Sequence, residues 1–171
     1  MRTGAKCITV AAVAATAVFG MVPEGAAQTA DRKTVTIQYG GWKVTCDEAA
    51  ASAVCSAAFR VVNTNTNATI LTWLVGRGND GQLLTEFFVP TEILIKPGVS
   101  MVLEDGPAYR AEFVACGRSA CKAVLPLDAA LASELASATK ATLSLTASNG
   151  KTTNFSMGID GIAAAMAELG N

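Results

Sequence analysis

The placement of cysteine restricts this chain more than any other feature. Cys46 and Cys55 lie close in sequence, and so do Cys116 and Cys121. Each pair flanks a stretch of small or polar residues, Asp47 to Val54 and Gly117-Arg118-Ser119-Ala120. Both flanks of the first pair alternate in polarity. Trp42, Val44 and Cys46 share one face of a strand, and Cys55, Ala57, Phe59 and Val61 share one face of the next. The parity therefore turns both cysteines inward with the apolar residues of their strands. Four cysteines allow three pairings, and proximity favours Cys46–Cys55 with Cys116–Cys121. Zinc ligation and redox chemistry are the alternatives. The Cys46–Cys55 spacing is long for a zinc knuckle, and a redox pair is more often Cys-x-x-Cys.

The N-terminus supplies the compartment in which such bonds persist. Arg2 and Lys6 form a short basic start, Cys7 to Val22 carries no charge, and Gly25-Ala26-Ala27 places small residues before Gln28. This order describes a cleavable secretory signal over residues 1–27. The uncharged run is shorter than the ~20 residues a helix needs to cross a bilayer, and Pro23-Glu24 ends it. Cys7 lacks the preceding residues of a lipoprotein signal. No membrane span is expected after cleavage. Residues 28–171 are expected to form one β-rich domain, periplasmic or secreted, where disulfides are stable.

Charge and composition exclude several function classes. Of 13 basic and 14 acidic residues, Arg2, Lys6 and Glu24 fall within the leader, so the remainder is weakly acidic. It contains no basic run, which removes the electrostatic case for nucleic acid. Histidine is absent. Ser-His-Asp and Cys-His nucleophile systems, histidine general bases and histidine-ligated metals are therefore ruled out. No cofactor and no metal are expected.

The body of the chain reads as strands. Alternating or apolar stretches at Thr34–Gln38, Trp42–Cys46, Cys55–Val61, Ile70–Val75, Leu83–Val89, Val99–Leu103, Tyr109–Cys116 and Cys121–Leu125 are separated by turn residues. Those turns include Gly40-Gly41, Asn79-Asp80-Gly81, Lys96-Pro97-Gly98 (entered from the apolar triplet Ile93-Leu94-Ile95) and Asp105-Gly106-Pro107. Two further strands, Ala141–Ala147 and Thr152–Met157, flank the hairpin signal Asn149-Gly150. Two short helices are expected near the C-terminus, over 128–137 and 160–169, capped by Asp128 and Asp160. Strands at this spacing predict a mostly β fold, an antiparallel β-sandwich of roughly eight to ten strands, stapled by two disulfides.

Candidate chemistry is sparse. Glu86, Glu92, Glu104 and Asp105 could form a catalytic carboxylate pair, although carboxylates on turns are usually solvated. Arg77 and Arg118 stand on glycine-flanked turns, where a guanidinium could receive a carboxylate or phosphate; they are the candidate binding residues. Asn79-Asp80-Gly81 lacks the downstream acidic ligands of a calcium loop. Trp42 reads as core rather than as a ligand platform.

Together these residues resemble a known family. A Trp42-x-Val44-x-Cys46 strand, the Leu94-Ile95-Lys96-Pro97-Gly98-Val99 segment, Cys116-x4-Cys121-x-Ala123, Ser156-x-Gly158 and a terminal Gly161-x-Ala163-x-Ala165-x-x-x-Leu169 helix are similar to the invasion-associated locus B family. The resemblance spans roughly residues 38 to 169. It departs at Ile159, where the family usually has an aromatic residue. Its motifs are structural and carry no catalytic signature. It implies an exported cell-envelope protein of Gram-negative bacteria, in a family whose founding member is associated with invasion of host red cells. The expected function is a non-catalytic protein- or surface-interaction module with an unidentified protein or cell-surface partner and a link to host-cell interaction. The alternative is a periplasmic enzyme that uses carboxylates in place of histidine.

Overall fold

The computed structural model describes residues 34–48 and 54–170. The leader expected over residues 1–27 lies outside the described residues. The elements are β1 (Thr34–Tyr39), β2 (Trp42–Asp47), β3 (Val54–Val62), β4 (Thr69–Arg77), β5 (Leu83–Val89), β6 (Val99–Leu103), β7 (Ala108–Cys116), β8 (Cys121–Pro126), α1 (Ala129–Ser137), β9 (Lys140–Thr146), β10 (Thr152–Gly158) and α2 (Ile162–Glu168). The strands hydrogen-bond in the order β1-β2-β3-β4-β5-β8-β7-β6-β9-β10, and every neighbouring pair is antiparallel.

The fold is mostly β, with two helices near the C-terminus, as the alternation predicts. The strands bury one common core because β7 belongs to both halves of the sheet. Its first part, Ala108 to Ala111, pairs with β6, and Glu112 to Cys116 pairs with β8. The register shifts between Phe113 and Ala115. A bulge at such a point bends a strand and raises its twist, which suits a strand that pairs with β6 along its first part and with β8 along its second. Trp42, Trp73 and Phe87 from one half and Met101, Leu103 and Leu143 from the other belong to one buried cluster.

Cross-strand register organises that cluster into rows. Trp42 lies opposite Phe59, Phe59 opposite Trp73, and Trp73 opposite Phe87. Trp42 meets Trp73 edge-on with ring centroids 5.2 Å apart, and Trp73 meets Phe87 at 5.4 Å, the spacing aromatic pairs prefer. Both indole N–H groups are satisfied. Trp42 Nε1 donates to the Ile159 carbonyl at 3.2 Å, and Trp73 Nε1 donates to Thr85 Oγ1 at 2.5 Å. The Thr85 hydroxyl in turn donates to the Leu74 carbonyl. Ile159 is fully buried, so its aliphatic side chain fills core space while its carbonyl ties the chain after β10 to β2.

The helices are fastened to the sheet by tyrosines. Asp128 caps α1 as expected, its carboxylate accepting from Leu131 N at 2.8 Å, and Leu131 and Leu135 enter the core. Tyr109 of β7 donates to Glu134 of α1 at 2.5 Å, and Tyr39 of β1 donates to Glu168 of α2 at 2.6 Å.

One local expectation differs from the structure. Asp160 is not the cap of α2; Gly161 holds that position, with φ 92° and no side-chain cap bond. A Cβ there would lie 2.4 Å from the Tyr39 carbonyl oxygen. Contact with the β1–β2 hairpin thus selects glycine over a capping side chain. Within Ile93-Leu94-Ile95 only Ile93 makes a bridge, to Ala147, and Leu94 and Ile95 are exposed.

Candidate functional site

The structure joins Cys46 to Cys55 and Cys116 to Cys121. Each pair consists of direct cross-strand partners, between β2 and β3 and between β7 and β8. The first bond reaches the inner side of its hairpin. The second closes the Gly117–Ala120 loop, where Gly117 N also donates to the Ala120 carbonyl at 2.8 Å.

The two candidate arginines are not brought together. Arg77 ends β4 opposite Leu83, at the start of β5, while Arg118 sits beyond Cys121, which pairs with Val89 at the other end of β5. Arg77 Nε donates to the Leu169 carbonyl and Nη1 to the Gly81 carbonyl, both at 2.9 Å. It therefore clamps the end of α2 and the Asn79–Gly81 turn to the sheet. Arg118 is exposed on its tight loop.

The carboxylates do not converge either. Glu86 lies on the outer face of β5 and pairs with Lys122 at 3.0 Å. Glu92 follows β5, and its carbonyl accepts from Ser148 N. Glu104 and Asp105 form the β6–β7 turn. Glu104 adopts φ 48°, and its Oε1 accepts from Thr139 N at 2.6 Å, Thr139 Oγ1 at 3.0 Å and Lys140 N at 2.9 Å. It anchors the start of β9, a structural role that sequence spacing did not reveal because its partners lie 35 residues away. Among the described residues, no group of three Cys, Asp or Glu residues is arranged to hold a metal.

These contacts set a pH dependence with a defined sign. The backbone hydrogen bonds from Thr139 and Lys140 hold the Glu104 carboxyl below its ordinary pKa of 4.5. A lowered folded-state pKa contributes stability above the unfolded value, and that contribution is lost as pH falls through the folded value. Hydrogen bonds to Glu168 and Glu134, with smaller contributions from desolvation and charge, hold Tyr39 and Tyr109 above 10.0. Their contribution is complete below pH 10.0 and disappears as pH rises through the raised values. Urea titrations across pH should therefore show an acid-side loss that flattens in Glu104→Gln and an alkaline-side loss that flattens in Tyr39→Phe. An unchanged acid limb in Glu104→Gln would contradict this assignment.

The face most suited to an external contact is the outer side of β3, β4, β5 and β8. Register places Ser56, Gly76 and Leu84 in one row and Ala58, Leu74, Glu86 and Val124 in the next. A shallow concavity of about 380 Å³ opens there, bordered by Ser56, Leu74, Leu84, Glu86, Lys122 and Arg77. Val54 on its rim is 59% exposed, and Val114 of the neighbouring β7 is 60% exposed. The helices bury Leu131, Leu135, Ile162 and Ala165 in the core cluster. Chemically, this is a leucine-lined surface crossed by one ion pair.

The fold and these sites define a disulfide-bonded, antiparallel β protein whose identifiable motifs are structural. The profile of the family described as "Invasion associated locus B (IalB) protein" matches residues 42–170. The chain belongs to the invasion-associated locus B family. Among solved structures, it is similar to invasion associated protein B from Bartonella henselae, with 21% identity, a TM-score of 0.69, and coverage of 79% of this chain and 94% of that one. That likeness supports the fold. No curated protein matches this chain. Among the described residues, no helix is long and apolar enough to cross a membrane.

Proposed function

We propose that this protein is exported, is cleaved near Gln28, and acts in the envelope or outside the cell as a non-catalytic protein- or surface-interaction module. One observation carries the proposal: the partly exposed outer face on which Leu74 and Leu84 flank the Glu86–Lys122 pair. An apolar surface with embedded complementary charge has the make-up of a protein contact patch. The separation of Glu86, Glu92 and Glu104 argues against shared acid–base work. Arg77 borders the concavity with two of its N–H groups already bonded. Arg118 is the second candidate contact, at the opposite end of the sheet. The Bartonella protein's name refers to invasion; applied to this chain, that connection means recognition of a protein or surface partner, host surfaces included.

The test uses the mature, oxidised protein as bait in envelope extracts. A specific partner should be retained by the wild type and lost with the Leu74→Asp, Leu84→Asp double variant, whose β spectrum should remain intact. Equal retention by the variant would move the contact elsewhere, and reproducible turnover abolished by Glu86→Gln would refute the non-catalytic reading. N-terminal sequencing should find a start near Gln28; a retained Met1 in cytoplasmic protein would overturn export.

A further inference from the structure

We propose that two copies of this chain associate by pairing their β10 strands antiparallel about Phe155, continuing one sheet across the dimer. The inference begins with hydrogen-bond parity. Ala147 N donates to the Lys151 carbonyl at 2.9 Å, and Ile159 N donates to the Thr139 carbonyl at 2.8 Å. Between these bonds the register is regular: Thr153 pairs with Leu145, Phe155 with Leu143 and Met157 with Ala141. Bonding alternates along an antiparallel ladder. Thr153, Phe155 and Met157 therefore direct their backbone groups to β9, whereas Thr152, Asn154, Ser156 and Gly158 direct theirs to the outer edge. β10 ends the strand order, and no strand among the described residues pairs with that edge.

The edge also lacks the usual protection. Thr152 to Gly158 contains no lysine, proline or other charged residue, and its pairing with β9 shows no bulge. Exposed edges without such devices are templates for strand addition.

The strand is complementary to itself. In a two-fold pairing about Phe155, Thr152 stands opposite Gly158 of the second copy and Asn154 opposite Ser156. All the outward N–H and C=O groups of both strands then find partners in one register. An isologous contact of this kind closes on itself. Charge agrees with this register. Lys151 precedes β10 and Asp160 follows it, both exposed, and antiparallel pairing brings Lys151 of each copy to the end of the ladder that holds Asp160 of the other. The core-facing side agrees as well. Thr153 and Phe155 border an apolar recess of about 190 Å³ with Ile70, Pro90, Ile93 and Leu145. Met157 of the second copy, opposite Thr153, supplies a flexible apolar side chain beside it.

Sedimentation equilibrium of the full mature protein, combined with hydrogen exchange, tests the proposal. A concentration-dependent dimer is expected, with the amides of Asn154 and Ser156 protected only as the dimer forms. Asn154→Pro removes an outward N–H without removing a bond to β9, and should weaken dimerisation by about tenfold or more. Ser156→Lys places a charge on the same edge and serves if the proline variant does not fold. A monomer at every concentration would overturn the proposal and leave the edge to a strand from another protein. Protection of these amides independent of concentration would also overturn it, assigning the edge to another part of this chain. A dimer that both variants leave unchanged would place the interface elsewhere.

Discussion

Reducing both disulfides is expected to remove on the order of 4–6 kcal/mol of stability, because each bond closes a short loop and contributes about 2–3 kcal/mol through lost unfolded-state entropy. Against the ~5–15 kcal/mol typical of a domain, this is a large fraction. The midpoint of thermal unfolding should fall by on the order of 10 °C. The β signal should nonetheless persist in mild conditions. Cys46–Cys55 and Cys116–Cys121 each link strands that are already adjacent, so the crosslinks stiffen two hairpins without dictating which strands neighbour each other. Calorimetry with and without reductant measures the loss, and non-reducing peptide mapping checks the pairing. A Cys46–Cys116 peptide would require a different strand arrangement, and free thiols at all four positions would return metal and redox chemistry to consideration.

Trp42→Ala should cost a comparable amount, about 3–5 kcal/mol, the range for deleting a large aromatic side chain from a core. Three losses combine at this site. The indole is fully buried, it packs against both Phe59 and Trp73, and its N–H satisfies the Ile159 carbonyl. The last contact joins β2 to the chain entering α2, so the loss should spread to the C-terminal helix. Chemical denaturation measures the magnitude. Trp42→Phe narrows the comparison, since it keeps one aromatic ring in the core while removing the N–H and the smaller part of the ring volume. A cost below about 1 kcal/mol for the alanine variant would contradict this account of the core.

Much of the fold was legible locally. Alternation placed Trp42, Val44, Ala57 and Phe59 on inward faces, and all but the half-buried Phe59 are fully covered. Asp128 announced α1 because a capping carboxylate acts within a few residues. The candidate site was less legible. Arg77 sits on a glycine-flanked turn, as an anion-binding arginine would; its bond to Gly81 is local, but its bond to Leu169 arises only when the C-terminal helix packs against the sheet. Glu104 resembled a solvated turn carboxylate until Thr139 and Lys140 came into range. The outer face containing Leu74, Leu84, Glu86 and Lys122 draws on β4, β5 and β8, which no single stretch of sequence joins.

The sequence by itself determined the β character, the inward parity of Cys46 and Cys55, the proximity that favours their pairing, and the exclusion of histidine chemistry. Periodicity and residue type act over a few positions, so they can be read without knowing the partner strand. Tertiary structure decided that β5 pairs with β8 rather than β6, that β7 bends through both halves, and that Gly161 replaces Asp160 at the α2 terminus. It also decided that β10 stands at an edge. These outcomes depend on which apolar faces cover one another across distant parts of the chain, and on how closely two backbones approach, neither of which local alternation encodes.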